Sequence, residues 1–145
     1  MAYEEPTCSP QMGPNPAYAE AVAELADATA AQEEAQQALD SINETLKDAE
    51  AKEAKRQEMS QKCKETRAQI EAIGNTVKAP ANWEEFEDCE KCINETYADA
   101  LADFIEQAKS EKTACEQALE AAKQAVIDAQ NKVNSTPQEI CVACC

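Results

Sequence analysis

The chain has 145 residues, with 29 Asp and Glu against 13 Lys and Arg, no His, and a net charge of −16 at pH 7. Nucleic acid is excluded as a partner, because phosphate binding needs clustered cations and the basic residues here are interleaved with acids. The lack of His removes the commonest general base and metal ligand. No stretch approaches the roughly 20 apolar residues of a membrane span.

Two Gly and six Pro are present, and Pro6, Pro10, Pro14, Pro16 and Pro137 lie near the ends. Ala, Glu, Gln, Lys and Asp fill the middle. These residues lose little freedom on becoming helical, so the chain reads as all-α. Residues 1–15 read as an extended Pro-rich arm. Helix 1 then starts with Asn15 as N-cap and Pro16 at the first helical position. It is expected to run over residues 16–73 and to end at Gly74, which can take the left-handed conformation. A loop over residues 74–82 follows. Asn82 is expected to cap helix 2, with Glu85 completing a capping box. Helix 2 is expected over residues 83–133, stopped by Asn134-Ser135-Thr136-Pro137, and residues 135–145 form a Cys-rich tail.

Apolar spacing predicts that the two helices face each other as a long antiparallel coiled-coil hairpin. In helix 1, Ala21, Ala28, Ala35, Ile42, Ala49, Arg56, Cys63 and Ile70 recur every seven residues. Tyr18, Leu25, Gln32, Leu39 and Leu46 form the partner series, which then meets Glu53. The apolar companions shift to Met59, Thr66 and Ile73, the pattern expected of a stutter near Lys52–Arg56. In helix 2 the series are Leu101, Ala108, Cys115, Ala122, Ala129 and Ile105, Lys112, Leu119, Val126, Val133, a heptad signature. Trp83, Phe86, Ile93, Tyr97 and Phe104 are expected to thicken the core near the loop. So thin an apolar stripe needs a partner helix, and the short loop makes the chain's own second helix the obvious one.

Eight cysteines, Cys8, Cys63, Cys89, Cys92, Cys115, Cys141, Cys144 and Cys145, suggest disulfides and an oxidising compartment. Three sequons, at Asn43, Asn94 and Asn134, point the same way and are candidate glycosylation sites. Secretion or a cell-surface location is therefore expected. The residues after Met1 lack signal-peptide chemistry, so the expected form is a mature chain with an added or retained Met.

A hairpin turning near residue 78 sets Cys63 opposite about residue 93. A staple from Cys63 to Cys92, or to Cys89, is expected, with Cys92 nearer in level. Cys115 is either a small seam residue or a partner for the tail. Cys8 is a natural partner for Cys141, Cys144 or Cys145. An odd number of sulfurs at each end predicts interchain bonds and self-association. The C-x-x-C pairs Cys89–Cys92 and Cys141–Cys144 lie too far apart for one zinc site. No strand–helix setting for redox catalysis is apparent. Catalytic, cofactor and metal residues are therefore assigned to none. The expected function is a secreted structural or assembly protein, a rod-like helical subunit of a disulfide-linked multimer or filament. A secreted binding module acting through a helix face is the alternative, with a cytosolic coiled-coil adaptor bearing reduced thiols third.

Overall fold

The structure is a computed structural model that describes residues 9–74 and 80–143. Its elements are β1 (Gln11–Pro14), α1 (Pro16–Ile73), α2 (Pro80–Lys91), a π-helical turn (Cys92–Thr96), α3 (Tyr97–Ser135) and β2 (Glu139–Ala143). The chain is thus mostly helical, with two long helices and one two-stranded sheet. It forms two compact units, Met1–Ala38 with Cys115–Cys145, and Leu39–Ala114.

In the first unit β1 and β2 pair antiparallel, with Met12 opposite Cys141 and Gly13 opposite Ile140. The sequence had suggested an arm and a tail without strands. At four and five residues these strands are too short to show a hydrophobic period, and a two-stranded ribbon tolerates Pro14 at a free edge. The register passes from Met12–Cys141 to Gln11–Ala143, so Val142 is a bulge residue. Its side chain lies over Gly13, where a Cβ would come within 2.8 Å of it.

Asn15 joins the ribbon to α1. Its Oδ1 accepts from the Ala17 amide at 3.1 Å, which caps the helix as expected. Its Nδ2 donates to Pro137 O at 2.8 Å and its amide to Gln138 O at 3.0 Å, so the same residue holds the strand that follows α3. Lys132 reaches Glu24 at 2.8 Å in this unit. The shielded positions are Tyr18, Ala21, Leu25, Ala28, Gln32 and Ala35 on α1, and Cys115, Leu119, Ala122, Val126, Ala129 and Val133 on α3. Thr136 Oγ1 donates to Lys132 O, and its amide to Val133 O, which closes α3 two residues beyond the expected end.

In the second unit the shielded positions of α1 continue through Leu39, Ile42, Leu46, Ala49, Glu53, Arg56, Ser60, Cys63, Arg67 and Ile70. This alternation of three and four is unbroken, so there is no stutter. The expected shift to Met59, Thr66 and Ile73 does not occur: Met59 is 48% and Ile73 66% exposed, and Thr66 is exposed. Polar side chains keep the seam because each finds a partner there. α1 ends at Gly74, whose φ is +97° and whose amide donates to Ile70 O at 3.1 Å. This is the left-handed helix stop.

The expected Asn82 cap is replaced. α2 begins at Pro80, a residue suited to the first turn, where a missing N–H costs nothing. The expected second helix is divided by the π-turn, in which the Tyr97 amide donates to Cys92 O. The shielded positions Trp83, Phe86, Glu90 and Ile93 are followed by Ala98, Leu101, Ile105, Ala108 and Lys112. Ile93 and Leu101 are eight residues apart where a heptad needs seven, and the π-turn absorbs the extra residue. It also rotates the following chain by about 100°. Tyr97 and Phe104, expected in the core, are consequently 38% and 48% exposed.

Candidate functional site

The densest chemistry lies in the second unit, where α1 meets α2 and the π-turn. A seam in solvent's reach would ordinarily be apolar; here it carries charge. Arg56 forks onto Glu53 through Nε at 2.9 Å and Nη2 at 2.5 Å, and its Nη1 donates to Ile93 O at 3.3 Å. Ile93 is buried within the π-turn. Helical i, i+3 spacing makes the Glu53–Arg56 pair local, and the π-turn brings the backbone acceptor. The Arg56 hydrogen bond and charge hold the Glu53 carboxyl below its ordinary value, and Glu53 in turn raises Arg56.

One turn on, Ser60 Oγ donates to Asn94 Oδ1 at 2.5 Å. Two turns further, Arg67 binds Glu90 through Nε and Nη2, with Glu71 at 3.9 Å and Glu87 at 4.0 Å. The same guanidinium lies 5.0 Å from the Trp83 ring centre and 5.8 Å from that of Phe86, which stack at 5.5 Å. A cation over an aromatic face is attracted by the ring quadrupole. The hydrogen bond to Glu90, then the charges of the nearby acids, raise the Arg67 pKa.

Cys63 sits between Ser60 and Arg67 on this seam, half-buried. Its thiol is pushed up, first by burial and then by the neighbouring Cys89 and Glu90. Cys63, Cys89, Cys92 and Cys115 all carry free thiols; Cys89 and Cys92 are exposed and Cys115 is half-buried. Cys141 is disulfide-bonded. Cys8, Cys144 and Cys145 lie outside the described residues, as does the loop after Gly74. The sequon residues Asn43, Asn94 and Asn134 are all exposed, on α1, the π-turn and the last turn of α3.

Spacing alone placed Arg56 in one seven-residue series and Glu53 in the other, but it did not show that the pair could stay on the seam. The i, i+3 charge pair was the available signal. The spacing does not mark Ser60, Arg67 or Glu90; the available signal was the acidic run Glu84, Glu85, Glu87, Asp88 and Glu90, two of whose members, Glu87 and Glu90, meet Arg67.

An open groove of about 400 Å³ lies elsewhere in this unit, lined by Thr45, Asp48, Ala49, Lys52, Tyr97, Ala100, Leu101 and Phe104. Among the described residues no group of three Cys, Asp or Glu could hold a metal ion, and no helix is long and apolar enough to cross a membrane. No protein-family model, curated protein or solved structure matches this chain.

Proposed function

We propose that this chain is a structural protein of an oxidising, extracellular or cell-surface compartment, and that it works as an antiparallel two-helix coiled-coil hairpin joined to its neighbours through disulfides. The observation that carries this reading is the unbroken alternation of three and four shielded positions along α1, beside a helix surface that presents the free thiols Cys89 and Cys92 to solvent. Such a seam serves packing, and exposed thiols in an oxidising compartment become crosslinks. Protein from its natural source, run on a gel with and without reductant, tests the assembly. The expected result is a ladder that collapses to one band on reduction; a monomer band in both lanes would rule out interchain bonds. Glycan mass on Asn43, Asn94 or Asn134 of the same material tests the compartment.

A binding module is the second reading, and the Tyr97–Phe104 groove favours it. Exposed aromatics beside Leu101 and Ala49 offer an apolar surface with Asp48 and Lys52 at its border, the composition of a contact patch. Under this reading the gel shows only monomer, and a partner is lost on Phe104→Ala.

A further inference from the structure

We propose that Cys63 and Cys89 form an intrachain dithiol pair, which closes into a disulfide between α1 and α2 and leaves Cys92 as the outward thiol of that cluster. The level is set by two cross-helix ties on either side. Ser60 is bonded to Asn94 and Arg67 to Glu90, so Cys63 lies level with the stretch from Glu90 to Asn94, within about one helical turn of Cys89. By level alone Cys92 is the nearer. Helix phase decides between them. The shielded positions of this turn, Trp83, Phe86, Glu90 and Ile93, define the direction of α1. At 100° per residue, Cys89 points about 80° from that direction and Cys92 about 140°. Cys89 therefore flanks the seam beside Phe86 and Ile93, and Cys92 lies on the far side of the helix. The distance a disulfide spans, roughly 4.4–6.8 Å between Cα atoms, suits neighbouring flanks and not opposite faces.

Burial and the nearby Cys89 and Glu90 raise the Cys63 thiol, whereas Cys89 is exposed. Exposure makes Cys89 the thiol that first meets a small-molecule disulfide such as oxidised glutathione. The Cys89 thiolate attacks one sulfur of that reagent, forming a mixed disulfide and releasing one glutathione thiolate. The Cys63 thiolate then attacks the Cys89 sulfur and displaces the second glutathione. Two protein thiols have lost two protons and two electrons, and one glutathione disulfide has become two thiols. Cys92 points away from α1, and under the assembly reading, on which this last step rests, it is the sulfur that meets another chain.

The sequence makes the test direct. Lys91 separates Cys89 from Cys92, and Lys62 and Lys64 bracket Cys63. The full-length chain is reduced, incubated at high dilution with mixed reduced and oxidised glutathione, alkylated, and digested with trypsin; only its monomer fraction is mapped. The expected product links the Cys63-Lys64 dipeptide to residues 79–91, with Cys92 alkylated or carrying glutathione. A link from Cys63 to residues 92–109, or alkylation of both Cys63 and Cys89 at every glutathione ratio, would overturn the pairing. Cys89→Ser is expected to abolish the crosslink and Cys92→Ser to retain it; the reverse pattern sinks the proposal. Because monomer is mapped, a chain that never multimerises still answers, and failure of the assembly reading stays distinguishable.

Discussion

Arg56 stands where a heptad calls for an apolar side chain, and it is tolerated because each of its three nitrogens has an acceptor. Its fork engages Glu53 and its remaining nitrogen engages Ile93 O. Removing one member leaves the other charge half-buried without its partner, which costs more than the pair contributes. Arg56→Ala is therefore expected to destabilise the chain, read as a lower midpoint in urea unfolding. Arg56→Lys should recover only part of this, since an ammonium cannot reproduce the fork. The double change Glu53→Leu with Arg56→Leu should cost less than Arg56→Ala or stabilise, because an apolar pair satisfies the seam without desolvating charge. A double change more damaging than the single one would show that the polar pair is needed for more than seam continuity.

At the scale of elements, α1 was legible in the sequence from end to end. Asn15-Pro16 starts it and Gly74 stops it, because both signals act through local backbone chemistry that a few residues encode. One series of its seam was legible through Ala49, Arg56 and Cys63 to Ile70, but the partner series was not legible past Leu46. A pattern rule sees Glu53 as a break, whereas Arg56 and Ile93 O make it a filled position, and Ile93 is distant in sequence. The π-turn was hidden for the same reason. One extra residue between Ile93 and Leu101 reads as noise unless the phases on both sides are known. The ribbon was missed because pairing across more than 120 positions leaves no local trace. Among the candidate site residues, the cysteines were legible as an inventory, but the choice between Cys89 and Cys92 needed the helix phase. The π-turn carries a sharp prediction. Deleting Thr96 restores a seven-residue spacing between Ile93 and Leu101, so the π-turn should become ordinary helix with Tm little changed. Deleting the exposed Glu116 from α3 instead rotates every later seam residue by about 100°. That deletion should lower Tm strongly and reduce helical circular dichroism. Equal losses from both deletions would mean that the extra residue is not what the π-turn absorbs.

For the whole molecule the governing quantity is charge. With 29 acids against 13 bases, folding brings like charges together, and the resulting self-repulsion opposes the compact state. Salt should therefore stabilise the chain at pH 7. The screening length falls from about 30 Å at 0.01 M to about 3 Å at 1 M, so Tm is expected to rise by several degrees across that range. Specific ion pairs work against this. Lys132–Glu24 is exposed on both sides, and salt weakens it, but exposed pairs contribute little, so the rise prevails. Lowering pH from 7 toward the isoelectric point near 4.3 should raise Tm for the same reason, as carboxylates discharge. An opposite trend then begins. The Glu53 carboxyl is held below its ordinary value in the folded chain, so its contribution is present above about pH 4.3 and is lost as pH falls through the folded value. On the basic side, Glu24 raises Lys132. That contribution is complete below about pH 10.4 and disappears as pH rises through the folded value. Tm should consequently peak on the acidic side of neutrality and fall away below about pH 4. A thermal-melt series over pH and salt reads both limbs. A Tm that declines steadily from pH 7 to pH 5, or that falls with added salt, would mean that specific ion pairs outweigh net repulsion in this chain.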